Sequence, residues 1–562
     1  MRNNWLITKV ITLVVVIFLS ISICEVGFAT ERLDKFDISN PWQSLSNPQI
    51  SKVEMYQMPQ VREIKESNIK INIRQLRIIG QGIYSEPALV ALVQDTVGRE
   101  VTLSEIQNIA GEITQYYRRQ GYLVARAYLP AQEIKDGVID IRVLLGHYGK
   151  IVLHNQVGIA QETVQNMISG IKSGDTIEKK KLDRSILLLS DIPGIKVKAV
   201  LSPGELVGTS DLNVTVDNDS LITGSVSINN YGSPYIGRNQ ISLGFNLNHP
   251  TGQGDVLSVN TMMPGHGLRN TDIAYQIPIE GSGLKMGVGY SKMHYDLGEE
   301  FASLLADGQV KTGNLFISYP FVRSYRSNVY GQISYQKKEI QDRIGAIQSV
   351  TEKDERDIVI GVSGDNWDSI GYGGMTNYSL TYSTGSLNIQ SLDAKAIDDL
   401  TARTNGKYGK YNLKIVRQQG LRDNLSLYLS LSSQLATNNL DSSEKMSLGG
   451  AYGVRAYPQG EAMGDEGYLF TAEVRHALPV RNIPGSLQIA SFFDTGSILV
   501  NKKPWLATAN RRTLSGAGIG LIWNKDREFY IRMDYAWKLR GEKSTAQADE
   551  PSRLWLQGIQ YF

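Results

Sequence analysis

From Leu221 to Phe562, apolar and polar residues exchange places at every second position, and no other feature of the chain constrains its fold so tightly. Ile241, Leu243, Phe245 and Leu247 alternate with Ser242, Gly244, Asn246 and Asn248. Leu425, Leu427, Leu429 and Leu431 alternate with Ser426, Tyr428, Ser430 and Ser432. Phe529, Ile531, Met533, Tyr535 and Trp537 alternate with Tyr530, Arg532, Asp534, Ala536 and Lys538. A period of two gives each strand one apolar and one polar face. An antiparallel sandwich turns the apolar face inward, whereas a membrane barrel turns it to lipid. Three observations favour the barrel. Arg532, Asp534 and Lys538 belong in a wet lumen, and Tyr290, Tyr319, Tyr335, Tyr382, Tyr452 and Trp523 stand near strand ends, where interfacial girdles form. The segment also holds about sixteen candidate strands at roughly 21 residues each with their connections, a spacing that suits short turns and longer loops.

The balance of charge narrows the function. With 58 basic and 56 acidic residues the net charge is +2, so no basic excess exists to neutralise phosphates and nucleic acid is not an expected partner. Charged residues at 20% and a mean hydropathy of −0.21 exclude a helical membrane protein. The one long apolar stretch, Val10 to Ile23, follows Arg2 and Lys9 and precedes Gly27 and Ala29, the pattern of a signal peptide over 1–29 cut before Thr30. The single cysteine, Cys24, lies within it, and Ile23 fills the position where a lipoprotein site wants a small residue. The expected mature chain is therefore exported without disulfides. Residues 30–69 are polar, with Pro41, Pro48 and Pro59 interrupting them, and read as a linker holding one short helix around Gln49 to Gln57.

Two α/β units precede the alternating segment. In the first, Ile71, Ile73, Leu76 and Ile78 predict a strand ending at Gly80, and Thr102-Leu103-Ser104-Glu105 is a capping box. The helix it opens carries Leu103, Ile106, Ile109, Ala110, Ile113 and Tyr117 on one face and stops at Gly121; strands follow at Tyr122–Leu129 and Val138–Leu145. The second unit runs from about Gly149 to Val216, with a helical face of Leu182, Ile186 and Leu189 and strands near Ile195–Leu201 and Asp211–Val216. Enzyme signatures are missing: no His-Glu-x-x-His, Gly-x-Ser-x-Gly or Gly-x-x-x-x-Gly-Lys occurs. Gly516, Gly518 and Gly520 lie on the small face of an alternating strand, and Asp217-Asn218-Asp219 reads as a hinge rather than a calcium loop. No catalysis, cofactor or metal is expected.

Three spaced motifs then resemble the outer-membrane transporters of two-partner secretion, the haemolysin-activator or filamentous-haemagglutinin-transporter (TpsB) family of the outer-membrane assembly-factor superfamily. Gly121-Tyr122-Leu123-Val124-Ala125-Arg126-Ala127-Tyr128-Leu129-Pro130, with Gln132 and Gly137-Val138-Ile139-Asp140-Ile141, resembles the family's first periplasmic POTRA domain. Val454-Arg455-Ala456-Tyr457, between candidate strands eleven and twelve, resembles the Val-Arg-Gly-Tyr/Phe signature of a lumen-inserted loop, with Ala456 in place of glycine. Phe492-Phe493-Asp494-Thr495-Gly496 resembles the Phe-x-Asp-x-Gly signature of the strand that receives the loop, and Phe562 resembles the signal read by the barrel-assembly machinery.

The resemblance implies a sixteen-stranded antiparallel transmembrane β-barrel at 218–562, with a lumen loop near 440–467, preceded by POTRA 1 at 70–148 and POTRA 2 at 149–217. It also implies a bacterial outer-membrane location with the POTRA domains in the periplasm, a plug within 30–69, and export of one large secreted exoprotein in unfolded form. Outer-membrane lipid and the barrel-assembly machinery would be further partners. Arg455 would pair with Asp494 through two parallel hydrogen bonds in a partly screened lumen, latching the loop, with Tyr457 and Phe492 packed around it and Gly496 leaving room for close approach. The alternative is a solvated loop arginine and an unpartnered lumen aspartate. A small sheet with exposed edges can accept an added strand from a client, which places client capture near Tyr117, Tyr122, Ile141 and Val143, unless those residues are simply core. An assembly factor that inserts other barrels and a diffusion porin are the competing functions. Gln560 interrupts the apolar alternation of the last strand and leaves its lipid-facing side open.

Overall fold

The computed structural model describes residues 54–55, 70–80, 82–264, 267–541 and 543–562. The expected signal peptide, and nearly all of the 30–69 linker with its expected plug, lie outside the described residues. The described part of the linker, β1 (Glu54–Met55), corrects the helix expected at Gln49–Gln57: it is extended and pairs in parallel with Val200 and Leu201. An open sheet edge offers unpaired backbone groups, and these override a weak local helical pattern.

The first unit contains β2 (Lys70–Asn72), β3 (Gln75–Ile79), α1 (Glu86–Val90), β4 (Glu100–Thr102), α2 (Leu103–Arg119), β5 (Arg126–Tyr128) and β6 (Val138–Leu144). The single strand expected from Ile71 to Gly80 is broken, because Ile73 N–H bonds to Arg99 O (3.1 Å) and Arg74 N–H to Gly137 O (2.9 Å). β2 consequently pairs with β4, while β3 joins the sheet β3-β6-β5. The strand expected at Tyr122–Leu129 is shortened to three residues, since Ala125 N–H turns back to Tyr122 O (3.1 Å). The capping box forms as expected: Glu105 N–H donates to the Thr102 hydroxyl (3.3 Å), and Thr102 N–H donates to the Glu105 carboxylate (2.5 Å). Ile106, Ile109, Ile113 and Tyr117 of α2 pack onto Leu76, Ile78, Ile139, Ile141 and Val143 of the sheet. Gln132 explains its place in the motif, for its amide both donates to Asp140 O (2.8 Å) and accepts from Asp140 N–H (2.9 Å).

The second unit contains β7 (His147–Asn155), α3 (Gln161–Ile168), α4 (Lys179–Ser190), β8 (Ile195–Pro203) and β9 (Thr209–Asn218), with sheet order β1-β8-β9-β7. Its core, built on Leu182, Ile186 and Leu189 of α4 against Val197, Val214 and Val216, also receives Leu123 and Val124 of the first unit. This unit seats on one rim of the barrel. Arg323 forks onto the Asp191 carboxylate (2.8 and 2.9 Å), Arg184 donates to Pro320 O (3.0 Å), and Ala160 N–H donates to Gly252 O (2.8 Å).

The barrel begins with β10 (Ile222–Asn229), β11 (Gln240–Asn248), β12 (Val256–Pro264), β13 (Arg269–Ile279), β14 (Leu284–Asp296) and β15 (Ala306–Arg323). It continues through β16 (Ser327–Ile344), β17 (Ser349–Asp368), β18 (Gly374–Ile389), β19 (Gly406–Arg422) and β20 (Leu425–Ala436). After a long loop holding β21 (Met446–Ser447) and β22 (Met463–Gly464), it finishes with β23 (Glu466–Leu478), β24 (Ser486–Leu499), β25 (Arg511–Lys525), β26 (Phe529–Gly541) and β27 (Ser552–Tyr561). Leaving β21 and β22 aside, these sixteen strands close into one antiparallel barrel, as the alternation predicts. β27 closes on β10 through five residue pairs, whereas β11 and β12 share nine. Among the described residues no helix is long and apolar enough to cross a membrane.

The apolar face points outward on every part of the wall: Ile241, Leu243, Ile360, Ile519, Met533 and Leu556 are all exposed. In the last strand Arg553 and Trp555 face the lumen while Leu554, Leu556 and Phe562 face out. Gln560 therefore lies on the outer face, its amide donating to Glu528 O (2.9 Å) in the adjoining turn. Tyr452 corrects the girdle assignment. It belongs to the long loop and stands edge-on to Tyr231, with ring centroids 5.3 Å apart.

Candidate functional site

Residues 437–465, between β20 and β23, fold back into the barrel. Their two arms run side by side because β21 pairs antiparallel with β22. The turn at the tip is closed by Val454 N–H donating to Leu448 O (2.6 Å) and Tyr457 N–H to Val454 O (3.0 Å). Leu448, Val454, Ala456 and Tyr457 are fully buried. A segment that would be a solvated loop elsewhere is thus packed as an interior element.

Arg455 sits at the tip. Its Nε and Nη2 donate to the two oxygens of Asp494 on β24 at 2.8 and 2.9 Å, and its backbone N–H adds a third bond to the same carboxylate (3.2 Å). The expected pair is therefore present, but its surroundings differ from the expectation. The residue is 4% exposed and Asp494 0%, so the lumen does not screen them. Nη1 also reaches Glu473 on β23 and Asp534 on β26, each at 3.1 Å. The guanidinium lies flat on the Phe492 ring, 3.3 Å from its centroid, and Trp555 Nε1 donates to Arg455 O (2.7 Å). The cation is gripped by three carboxylates and a ring, and the residue's main-chain carbonyl by an indole, from five strand-borne residues. Arg532 and Arg475 balance the remaining acid: Arg532 bonds Asp534 and Glu473 at 2.8 Å each, and Arg475 bonds Glu473 at 2.7 Å.

The small residues of both motifs make room for this tip. Ala456 does not have the positive φ that would require glycine, and its methyl faces Gly516, where an added Cβ would lie 2.5 Å from it. A Cβ on Gly496 would lie 2.7 Å from Leu448, and one on Gly518 would lie inside contact distance of the Phe492 ring. Tyr457 lies in the same buried cluster as Val454, Ala456 and Phe492, and its ring carries the Lys538 ammonium at 4.8 Å. Glu473, Asp534 and Trp555 were not legible as site residues, because contacts between β23, β24, β26 and β27 depend on barrel closure and leave no local spacing.

The client-binding residues are corrected more severely. Tyr117, Ile141 and Val143 are 0% exposed and belong to the core of the first unit, so they offer a client no surface. A strand's inward residues are its apolar ones, and the pattern that singled them out is the pattern of packing. Tyr122 remains half-buried, in edge-on contact with Tyr117 (6.0 Å) and Tyr84 (6.5 Å).

A closed barrel, a loop returned into its lumen on an arginine–aspartate fork, and α/β units seated on one rim define a class: barrel proteins of the outer-membrane transporter and assembly type. Residues 208–522, more than half of the chain, match the family described as haemolysin secretion/activation protein ShlB/FhaC/HecB, and the chain belongs to that family. Residues 71–146 match the POTRA domain of ShlB type. The chain is 28% identical over 506 residues to the heme/hemopexin transporter protein HuxB of Haemophilus influenzae, covering 88% of each. It is 22% identical over 461 residues to the outer membrane transporter CdiB of Dickeya dadantii, covering 80% of this chain and 79% of that one. The solved structure of CdiB from Escherichia coli shares the fold, with a TM-score of 0.72 at 17% identity over 95% of this chain and 98% of that one. The protein is a two-partner secretion transporter of the outer membrane, with its POTRA domain in the periplasm.

Proposed function

We propose that the protein captures one large exoprotein, haemolysin- or adhesin-like, on its periplasmic units and passes it through the barrel in unfolded form, with Arg455 latching the loop in the position that export requires. The single observation that carries this reading is the burial of Arg455 on Asp494, Glu473 and Asp534. A porin needs no such anchor. Breaking a buried pair strands its partner charges at about 3–5 kcal/mol, so the arrangement is costly unless the loop position matters.

Capture belongs to open sheet edges rather than to the buried residues of the first unit. β8 has one such edge: among the described residues it pairs with β1 at Val200 and Leu201 alone of its nine residues. An extended client segment would add there through backbone hydrogen bonds. Outer-membrane lipid meets the apolar outer wall, and the barrel-assembly machinery would read the last strand with Phe562. One relative is named for heme and hemopexin, and the others are named simply as CdiB transporters. The test is export. Arg455→Ala and Asp494→Asn should each leave a folded barrel in the outer membrane and nearly abolish release of the client into the medium. Unimpaired release by both variants would remove the latch from the mechanism.

A further inference from the structure

The loop is anchored at a second place, on strands β16, β17 and β19, with the charges reversed. At the tip a cation of the loop meets acids of the wall; at the stem two acids of the loop meet cations of the wall. Asp441 accepts from Lys353 Nζ on β17 (2.7 Å), and Glu444 accepts from Lys410 Nζ on β19 (2.7 Å) and from Lys338 on β16. All five residues are buried. Gln434 on β20 fixes the same turn by donating to Glu444 O (2.9 Å). The loop is therefore tied to β16, β17 and β19 at its stem and to β23, β24 and β26 at its tip.

The two ties are not equivalent. The Arg455 end combines a planar fork, a stacked ring and two main-chain bonds, which together admit one geometry. The stem is held by ammonium groups, compact charges on flexible stems that impose no such geometry. Glu355 also stands 3.6 Å from Lys338, a second acid beside one of the two cations that Glu444 uses. A cavity of about 360 Å³ lies directly under the stem. It is lined by uncharged polar residues such as Ser334, Thr381, Ser383, Asn412 and Ser432, by the charged Lys338, Asp357, Lys410 and Lys414, and by Glu444 of the stem. Its hydroxyls and amides offer hydrogen bonds to a passing backbone, and its charges carry both signs.

We propose that the Asp441/Glu444–Lys338/Lys353/Lys410 clasp is the gate of the export conduit. It opens on the β16–β19 side to admit an extended polypeptide into this polar cavity, while the Arg455 anchor stays closed. The inference deepens the transport reading and rests on it, but its first test needs no client. In planar bilayers, the full-length Asp441→Asn/Glu444→Gln variant should show a client-free open probability about tenfold or more above the parent, as loss of even one charge-assisted bond of the closed state implies. Cells carrying it should take up large hydrophilic antibiotics and still export the client. A variant that is folded, judged by heat-modifiable gel mobility, and as closed as the parent would overturn the proposal. The second test uses one folded molecule in two states. With Cys24→Ser, the pair Asp441→Cys/Lys353→Cys is joined by a reducible bismaleimide. Export should stop on cross-linking and resume on reduction, and export at an undiminished rate through the clamped protein would also refute the gate.

Discussion

At the scale of single residues, Arg455 is the most consequential side chain. Replacing it by alanine leaves Asp494, Glu473 and Asp534 to share Arg532 and Arg475, with an expected cost of about 3–5 kcal/mol for the loop position. Arg455→Lys keeps the charge but loses the fork and the stacking on Phe492, so release of the client, measured by immunoblot of the medium, should be intermediate between alanine and parent. A sharper prediction concerns the Ala456–Gly516 contact. Gly516→Ala sets two methyl carbons 2.5 Å apart and should displace the tip and depress export. Ala456→Gly should restore it, because the remaining neighbours of that new Cβ lie at 3.2 Å or more. Failure of the rescue would show that Gly516 matters for the strand rather than for the loop. The departure from the family's glycine was visible in the sequence; its counterpart 60 residues later was not, because their contact exists only when the loop is inside the barrel.

At the scale of elements, two joints can be tested. The α2 cap holds the Glu105 carboxyl below the usual carboxylate range, the largest cause being the hydrogen bond from Thr102 N–H. A depressed carboxylate stabilises the fold above its unfolded pKa, roughly 4.3, and loses that contribution as pH falls through the lower folded value. Amide exchange in the first turn of α2 should accelerate over that acid window in the parent, and this pH-dependent step should vanish in Glu105→Gln. Thr102→Ala should cost about 1 kcal/mol, the ordinary worth of an N-cap. The second joint is Asp191–Arg323, between the second unit and the barrel rim. Asp191→Ala should loosen α4 by about 1.5–3 kcal/mol, seen as faster exchange there with the barrel unchanged. The α2 cap was readable from Thr102 and Glu105 because a capping box is local. The Asp191–Arg323 fork spans 132 residues and had no such signal.

At the scale of the whole molecule, the alternation and strand count carried the architecture, because period-two patterning over 342 residues has few solutions once the polar face holds charges. The loop and its receiving strand were legible through their resemblance to known motifs, and the helix of the first unit through its apolar face. The breaks in β2–β3 and β5 were not legible, since they arise from hydrogen bonds to Arg99, Gly137 and a local turn. Nor was the second anchor of the loop, where Asp441 and Glu444 find lysines 88 and 106 residues away. The result is a barrel whose fold follows from pattern and whose loop is held by contacts between residues far apart in the chain.

The central claim is dedicated export, and the protein content of the medium tests it most directly, compared by mass spectrometry between cells with and without this gene while outer-membrane barrels are quantified in parallel. Loss of one large secreted protein is expected, with the barrel proteins at normal levels. A broad fall in outer-membrane barrels, with no single protein missing from the medium, would contradict it.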